Sequence, residues 1–427
     1  MVEIKALKDE LIYLETLQSG LRVALHPKPG FHNIYVTMQV DFGGFDMTLP
    51  IDSEASLMPA GIAHFLEHLM FHNNDVDLPE TFAHLGADVN AFTSKSQTAY
   101  KFKTINHINE LLKAFMDNFM SFNISDQLIE KERRIIIHEL TMSEDSVHFD
   151  MSQQLTKMMY LSDKVRADVG GSVKDVKNIT RAHLEDAFKA FYHPKNMSLV
   201  ITGNVDKDQV TRLLKDHPYN HLSWPEFIQT DRSYNDPKRK RHHLTKVSKD
   251  ANENMITFAL KVPKEHFSDQ NRIKLHIALG SIVANAFGLG SKTFDDLEKQ
   301  KLMNVSFFTK LSLERDFGYF EVFIQTNKVK RYQETMKRIL ENIATETLDE
   351  SFFDINKRNI LGNYITVFDS LSRVHDLLCN VTNEHMALDD YLKQILELQF
   401  SDLQPYQKLF VKENIFSITY LKAKKQK

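Results

Sequence analysis

The chain has 427 residues, 42% of them hydrophobic and 26% charged; this excludes a disordered or fibrous protein and, at a length beyond one ordinary core, implies two or three domains. A formal charge of -4 excludes the broad positive surface of a general nucleic-acid binder, so no nucleic-acid partner is expected. The single cysteine, Cys379, excludes an internal disulfide framework and leads us to expect a reducing, cytoplasmic location.

In chain order, Met1 to Leu14 interleaves Glu3, Lys5, Lys8, Asp9 and Glu10 with apolar residues, unlike the unbroken apolar core of a secretory signal. No run approaches about 18 consecutive apolar residues, so a soluble protein without membrane insertion is expected. Runs rich in β-branched and aromatic residues predict strands at Ile34–Phe42, Val89–Thr93, Ala99–Ile105 and Met197–Thr202. Between them the pattern predicts a helix over Ile62–His72 and two more ending near Met142. The same order returns about 220 residues later, reckoned from Tyr35 to Met255. Its members are strand Met255–Val262, helix Arg272–Phe287, strands Val305–Leu313 and Tyr319–Gln325, helices to about Tyr364, and strand Phe416–Leu421. Between the copies, Pro218, Asn220, Pro225, Asn235, Pro237 and a run of charge read as a linker. The expected division is therefore 1–215, a linker at 216–245, and 246–427, an α+β protein built from two homologous α/β domains.

The chemistry sits on two of the predicted helices. Residues 64–68 spell H-x-x-E-H, the inverted zinc-peptidase spacing. Ile62, Phe65, Leu66, Leu69 and Met70 fall at i, i+3, i+4, i+7 and i+8 and form one apolar stripe, which leaves His64, Glu67 and His68 on the other side. Histidines four apart stack one turn above another, so both imidazoles reach one ion while the glutamate between them points at the same space. On the second helix Glu132 and Glu139 are seven residues apart, nearly two turns, and share the face that carries Leu128, Ile135, Ile136, Leu140 and Met142. A carboxylate in an apolar stripe demands a cation or strong donors. One Zn2+ per chain answers that demand: His64, His68 and Glu139 as ligands, Glu132 orienting a ligand imidazole, and Glu67 as the catalytic proton acceptor.

These residues resemble the pitrilysin and insulinase family, in the branch like mitochondrial processing peptidase and its bacterial two-subunit relatives. The likeness also includes residues 86–93 (Gly-Ala-Asp-Val-Asn-Ala-Phe-Thr), the glutamate pair of residues 130–139, and residues 191–205 from Phe191 to Val205. The resemblance implies that each domain has an antiparallel sheet flanked by helices, and that Asn90, Ala91 and Phe92 lie on an edge strand that binds an extended peptide. It further implies an Arg and, seven residues later, a Tyr from a C-terminal-type domain, which hold the substrate carbonyl. Here those places align with Glu298 and Val305, neither of which can donate to an oxyanion when Glu298 is ionised, with nearby Lys299 and Lys301 as the alternative donors. A homologous partner subunit, in a heterodimer or homodimer, is therefore expected to supply them. The competing readings are a non-catalytic scaffold or binding subunit of the same fold, and a zinc hydrolase of small molecules.

Overall fold

Runs of β-branched and aromatic residues form twelve strands among the described residues, and the most apolar runs take the central places. A computed structural model describes residues 2–7, 10–49, 57–239, 241–267, 272–383 and 388–423. These fall into two compact units, each with its own sheet.

In the first unit the strands are β1 (Val2–Leu7), β2 (Glu10–Thr16), β3 (Arg22–Pro27), β4 (Ile34–Val40), β5 (Asp88–Thr93), β6 (Thr98–Thr104) and β7 (Met197–Gly203). Their order is β1-β2-β3-β7-β4-β6-β5, antiparallel throughout except for the parallel pair β3 and β7. The second unit holds β8 (His243–Ser248), β9 (Met255–Val262), β10 (Phe308–Leu313), β11 (Gly318–Gln325) and β12 (Ile415–Lys422). Its order is β10-β11-β9-β12-β8, with β12 and β8 as its parallel pair. Read strand for strand, β3-β7-β4-β6-β5 and β8-β12-β9-β11-β10 are one topology used twice, which bears out the repeat read from the sequence.

Strands β7 and β9 are buried at every position, which is why they read as continuous apolar runs and were predicted nearly to the residue. Strands β1, β2, β3 and β8 were not predicted. Strand β8 is exposed along most of its length and carries neither a continuous nor an alternating apolar pattern, and its first residues fall inside the expected linker. Helix Arg272–Phe287 forms as predicted, with Ile273, Leu275, Ile277, Leu279 and Ile282 buried. The stretch Arg272–Lys299 is long and apolar enough on average to cross a membrane, which corrects the expectation that no stretch comes near it. Polar residues interrupt the run but leave its mean within the spanning range, half of its apolar window is buried, and Ser291 begins a separate helix, Lys292–Lys299, by accepting from the Phe294 amide.

The units are not contiguous in sequence. The first comprises Met1–Thr141, Ala167–Ser233 and Ile365–Asp390; the second comprises Met142–Arg166, Tyr234–Tyr364 and Tyr391–Lys427. A linear division at 216–245 does not contain this exchange of segments. In the first unit, helix Leu371–Asn383 buries Leu371, Val374, His375, Leu378 and Cys379 at helical spacing and packs on β4 and β7. There His375 bridges Thr37 Oγ1 (2.7 Å from Nε2) and Thr202 Oγ1 (3.1 Å from Nδ1). Within the linker, Arg232 makes a two-pronged ion pair with buried Asp46 (2.8 and 2.7 Å), and Trp224 packs on Tyr219.

Burial pushes the His375 imidazole down to about 3, with Lys101 and His26 adding to it. The unfolded chain, with an ordinary histidine, binds a proton below about pH 6.5 that the folded chain refuses, so stability rises with pH between roughly 3 and 6.5. Raising the pH from 5 to 7 should therefore add on the order of 2 kcal/mol from this residue. Denaturant unfolding at the two pH values should show a smaller increment for His375→Gln; an equal increment would reject the assignment.

Candidate active site

The motif helix, Ile62–Met70, begins at Gly61 in the left-handed region, φ 88°. A Cβ there would lie 2.3 Å from the Gly170 carbonyl oxygen, and one on Gly171 would lie 2.4 Å from that of Ala60. The two backbones touch, so only glycine fits, and residues 170–171 close against the start of the helix. Ile62, Phe65, Leu66, Leu69 and Met70 are buried in the first unit's core, as the periodicity predicted, and Ala63 is buried with them. The other side is not open to water: Glu67 is 8% exposed, and the His64 and His68 side chains are 22% and 18% exposed.

The second helix, Asp126–Glu144, buries Ile129, Glu132, Ile136 and Leu140. Here the expected stripe needs correction. Ile135, Met142 and Glu139 are exposed, the Glu139 side chain by 47%. At 100° per residue, Ile129, Glu132, Ile136 and Leu140 span about 80° of the helix, while Ile135, Glu139 and Met142 lie beyond its edge. Glu132 is thus the carboxylate within the core, and Glu139 stands at the rim.

Both glutamates nevertheless reach the histidines. His64 Nε2 and His68 Nε2 are 3.3 Å apart, and Glu139 Oε2 lies 3.5 Å from His68 Nε2 and 4.0 Å from His64 Nε2. On the other side of its ring, His68 Nδ1 meets Glu132 Oε2 at 3.2 Å. An ionised carboxylate only accepts, so His68 Nδ1 carries the hydrogen, and the neutral ring turns a lone pair at Nε2 toward the other donors. Two imidazole nitrogens and a carboxylate oxygen then converge on one point. Metal bonds of about 2.0–2.1 Å place tetrahedral ligands about 3.4 Å apart, close to two of the three separations here. The donor set therefore fits a zinc-type cation; it is the one such cluster of three among the described residues.

The electrostatics agree. Burial lowers His64 to about 4, and the neighbouring His68 adds to this. Burial also opposes charge on His68, but the Glu132 hydrogen bond and the charges of Glu139, Glu67 and Glu132 outweigh it and raise its pKa. For Glu132, burial is likewise the largest single influence and an upward one; its contacts with His68, helped by His72 and Lys131, bring the net shift below the usual range. Positive charge is thus favoured on the His68 ring, which the carboxylates flank, and disfavoured on His64.

Sequence reasoning missed Thr93, whose hydroxyl donates to Glu67 Oε2 at 2.5 Å. Beneath lie Tyr100 and Tyr192, fully buried, with their hydroxyls 2.6 Å apart. Burial raises the Glu67 pKa, and the Thr93 bond opposes the rise. In the sequence Thr93 stands as the last residue of a predicted strand and of the motif at 86–93, with no local pattern tying it to Glu67. Among the described residues strand β5 pairs with β6 alone, so Asn90, Ala91 and Phe92 stand on an edge as expected. The Ala91 amide donates to the Asn90 side-chain oxygen (2.8 Å), and Phe92 is 41% exposed. Glu298 lies on helix Lys292–Lys299, and Val305 is fully exposed ahead of β10.

Residues 54–171 match the family model described as insulinase (peptidase family M16), and residues 178–360 match that of the peptidase M16 inactive domain. A Bacillus subtilis protein named uncharacterized zinc protease YmfH is 24% identical over 402 residues, 93% of each chain. A Mycobacterium bovis protein, also named an uncharacterized zinc protease, is 26% identical over 91% of this chain and 88% of its own. Among solved structures, an M16-like peptidase from Alicyclobacillus acidocaldarius superposes with a TM-score of 0.91 at 25% identity, covering 98% of this chain and 100% of the other. A protease from Helicobacter pylori shares the fold at a TM-score of 0.79 and 21% identity, over 96% and 99% of the two chains.

Proposed function

This chain belongs to the insulinase family of peptidases, family M16, and on that premise we propose that it is the zinc-binding subunit of an endopeptidase acting on peptides or unfolded polypeptide segments. The convergence of His64, His68 and Glu139 beside Glu67 carries the reading. Processing of precursors or leader peptides is the role we assign to it, in the cytoplasm.

Zinc, when bound, supplies Lewis acidity toward the scissile carbonyl and acidifies water. Glu67 accepts the proton of the attacking water, and returns it to the amine as the C–N bond breaks. Its buried setting favours that return, because burial destabilises the ionised carboxylate. Glu132 holds the His68 ring in the tautomer that presents Nε2. Strand β5 offers the substrate an unpaired edge, where an extended peptide adds as a further strand and takes over the Ala91 amide from the Asn90 side chain.

With Glu298 and Val305 in the places of the Arg and Tyr, the second half brings no side-chain donor for an oxyanion at those positions. A homologous partner subunit supplies them. The test is cleavage of a quenched peptide library by the chain alone and with co-purified partners, with chelator and after zinc readdition. Chelator-sensitive cleavage that needs the partner is expected. Equal rates for the zinc-loaded monomer would remove the partner from this reading, and no chelator-sensitive cleavage by either sample would remove the peptidase.

A further inference from the structure

The Glu67 carboxylate has two oxygens with different fates. Oε2 accepts from Thr93 Oγ1 at 2.5 Å, whereas Oε1 makes no hydrogen bond among the described residues. The direction of the Thr93 bond is set by its neighbour. Thr98 Oγ1 spends its proton on the Phe42 carbonyl (2.8 Å), and its contact with Thr93 Oγ1 is long, at 3.5 Å. The Thr93 proton is thus left for Glu67, where an ionised carboxylate only accepts. Thr93 itself is fixed as the last residue of β5, paired with Thr98, on the strand whose other edge is open.

We infer that Thr93 is a positioning residue: its hydroxyl ties Glu67 Oε2 to the end of the edge strand, so that Oε1 is the oxygen presented for proton transfer. This deepens the peptidase reading and rests on it. A glutamate side chain has three rotatable bonds, and a short charge-assisted bond at one oxygen removes most of that freedom before substrate arrives. Because the tie runs to β5, a peptide that pairs along β5 is registered against the same strand end that holds the base.

The test compares Thr93→Val, which keeps shape and loses the donor, with Thr93→Ser, which keeps the donor. With the assembled, zinc-loaded protein and a quenched peptide, T93V should lower kcat about 10- to 100-fold with KM within about twofold, and T93S should recover most of the rate. Zinc content should be equal in all three proteins. In an E67Q background, adding T93V should cost no further rate, since the group it positions is gone. Crystal structures of the two variants give a readout independent of turnover: the Glu67 carboxylate should leave its present position in T93V and keep it in T93S. A Glu67 conformation unchanged in T93V, a kcat unchanged in T93V, or an equal loss in T93S would each overturn the inference. Absence of cleavage by the wild type would instead count against the peptidase reading, with the crystal structures still deciding the role of Thr93.

Discussion

Glu67→Gln is expected to lower peptide hydrolysis by about three orders of magnitude while leaving zinc content and thermal unfolding unchanged. Glutamine matches glutamate in shape, and its amide oxygen still accepts from the Thr93 hydroxyl, so packing in the first unit has no reason to change. Neither the His64–His68 contact nor the Glu132 bond to His68 involves Glu67. Only the ability to take and return a proton is removed. Steady-state rates on a quenched peptide, read beside metal analysis, provide the measurement. Retention of more than about a tenth of the rate would assign the base elsewhere, because a positioned general base contributes at least about a hundredfold. A non-catalytic scaffold would have no chelator-sensitive turnover to lose.

His68→Ala should bring zinc content from one per chain to nearly none, and activity with it. His68 does two things at once: Nε2 belongs to the convergent set, and Nδ1 partners the buried carboxylate of Glu132. Its removal takes away a donor and leaves Glu132 with Lys131 as its remaining ion-pair partner, at 3.8 Å. Glu132→Gln separates the two effects. The glutamine oxygen still accepts from His68 Nδ1, but the negative charge that strengthens the ligand is lost, so zinc should bind about 10- to 100-fold more weakly without being abolished. Competition against a chelator of known affinity orders the three proteins: wild type tightest, E132Q intermediate, H68A weakest. E132Q binding as weakly as H68A would make Glu132 a ligand in its own right; E132Q binding like wild type would reduce Glu132 to a packing residue.

The core of the site was legible because it is local. His64, Glu67 and His68 lie within a turn and a half of one helix, and a seven-residue spacing brings Glu132 and Glu139 to neighbouring faces of another whatever surrounds them. How far each glutamate is buried was not legible. Their azimuths differ by only about 20°, and the edge of the contact falls between them, at a place set by what packs against the helix. Likewise the exposed ladder of β8 carries too little apolar pattern to betray a strand, and β10, predicted from Val305, begins only at Phe308; pairing partners define both.

By itself, then, the sequence determined the repeated α/β plan, the motif helix and the identity of the groups able to meet a metal ion, since periodicity and spacing act over one or two turns. Only the tertiary structure decided that Thr93 holds Glu67, that Glu132 rather than Glu139 is the enclosed carboxylate, and that segment 365–390 joins the first unit through His375. Each of these is a contact between residues 26 to 338 positions apart, or the outcome of one, and chain separation of that order leaves no trace in local pattern.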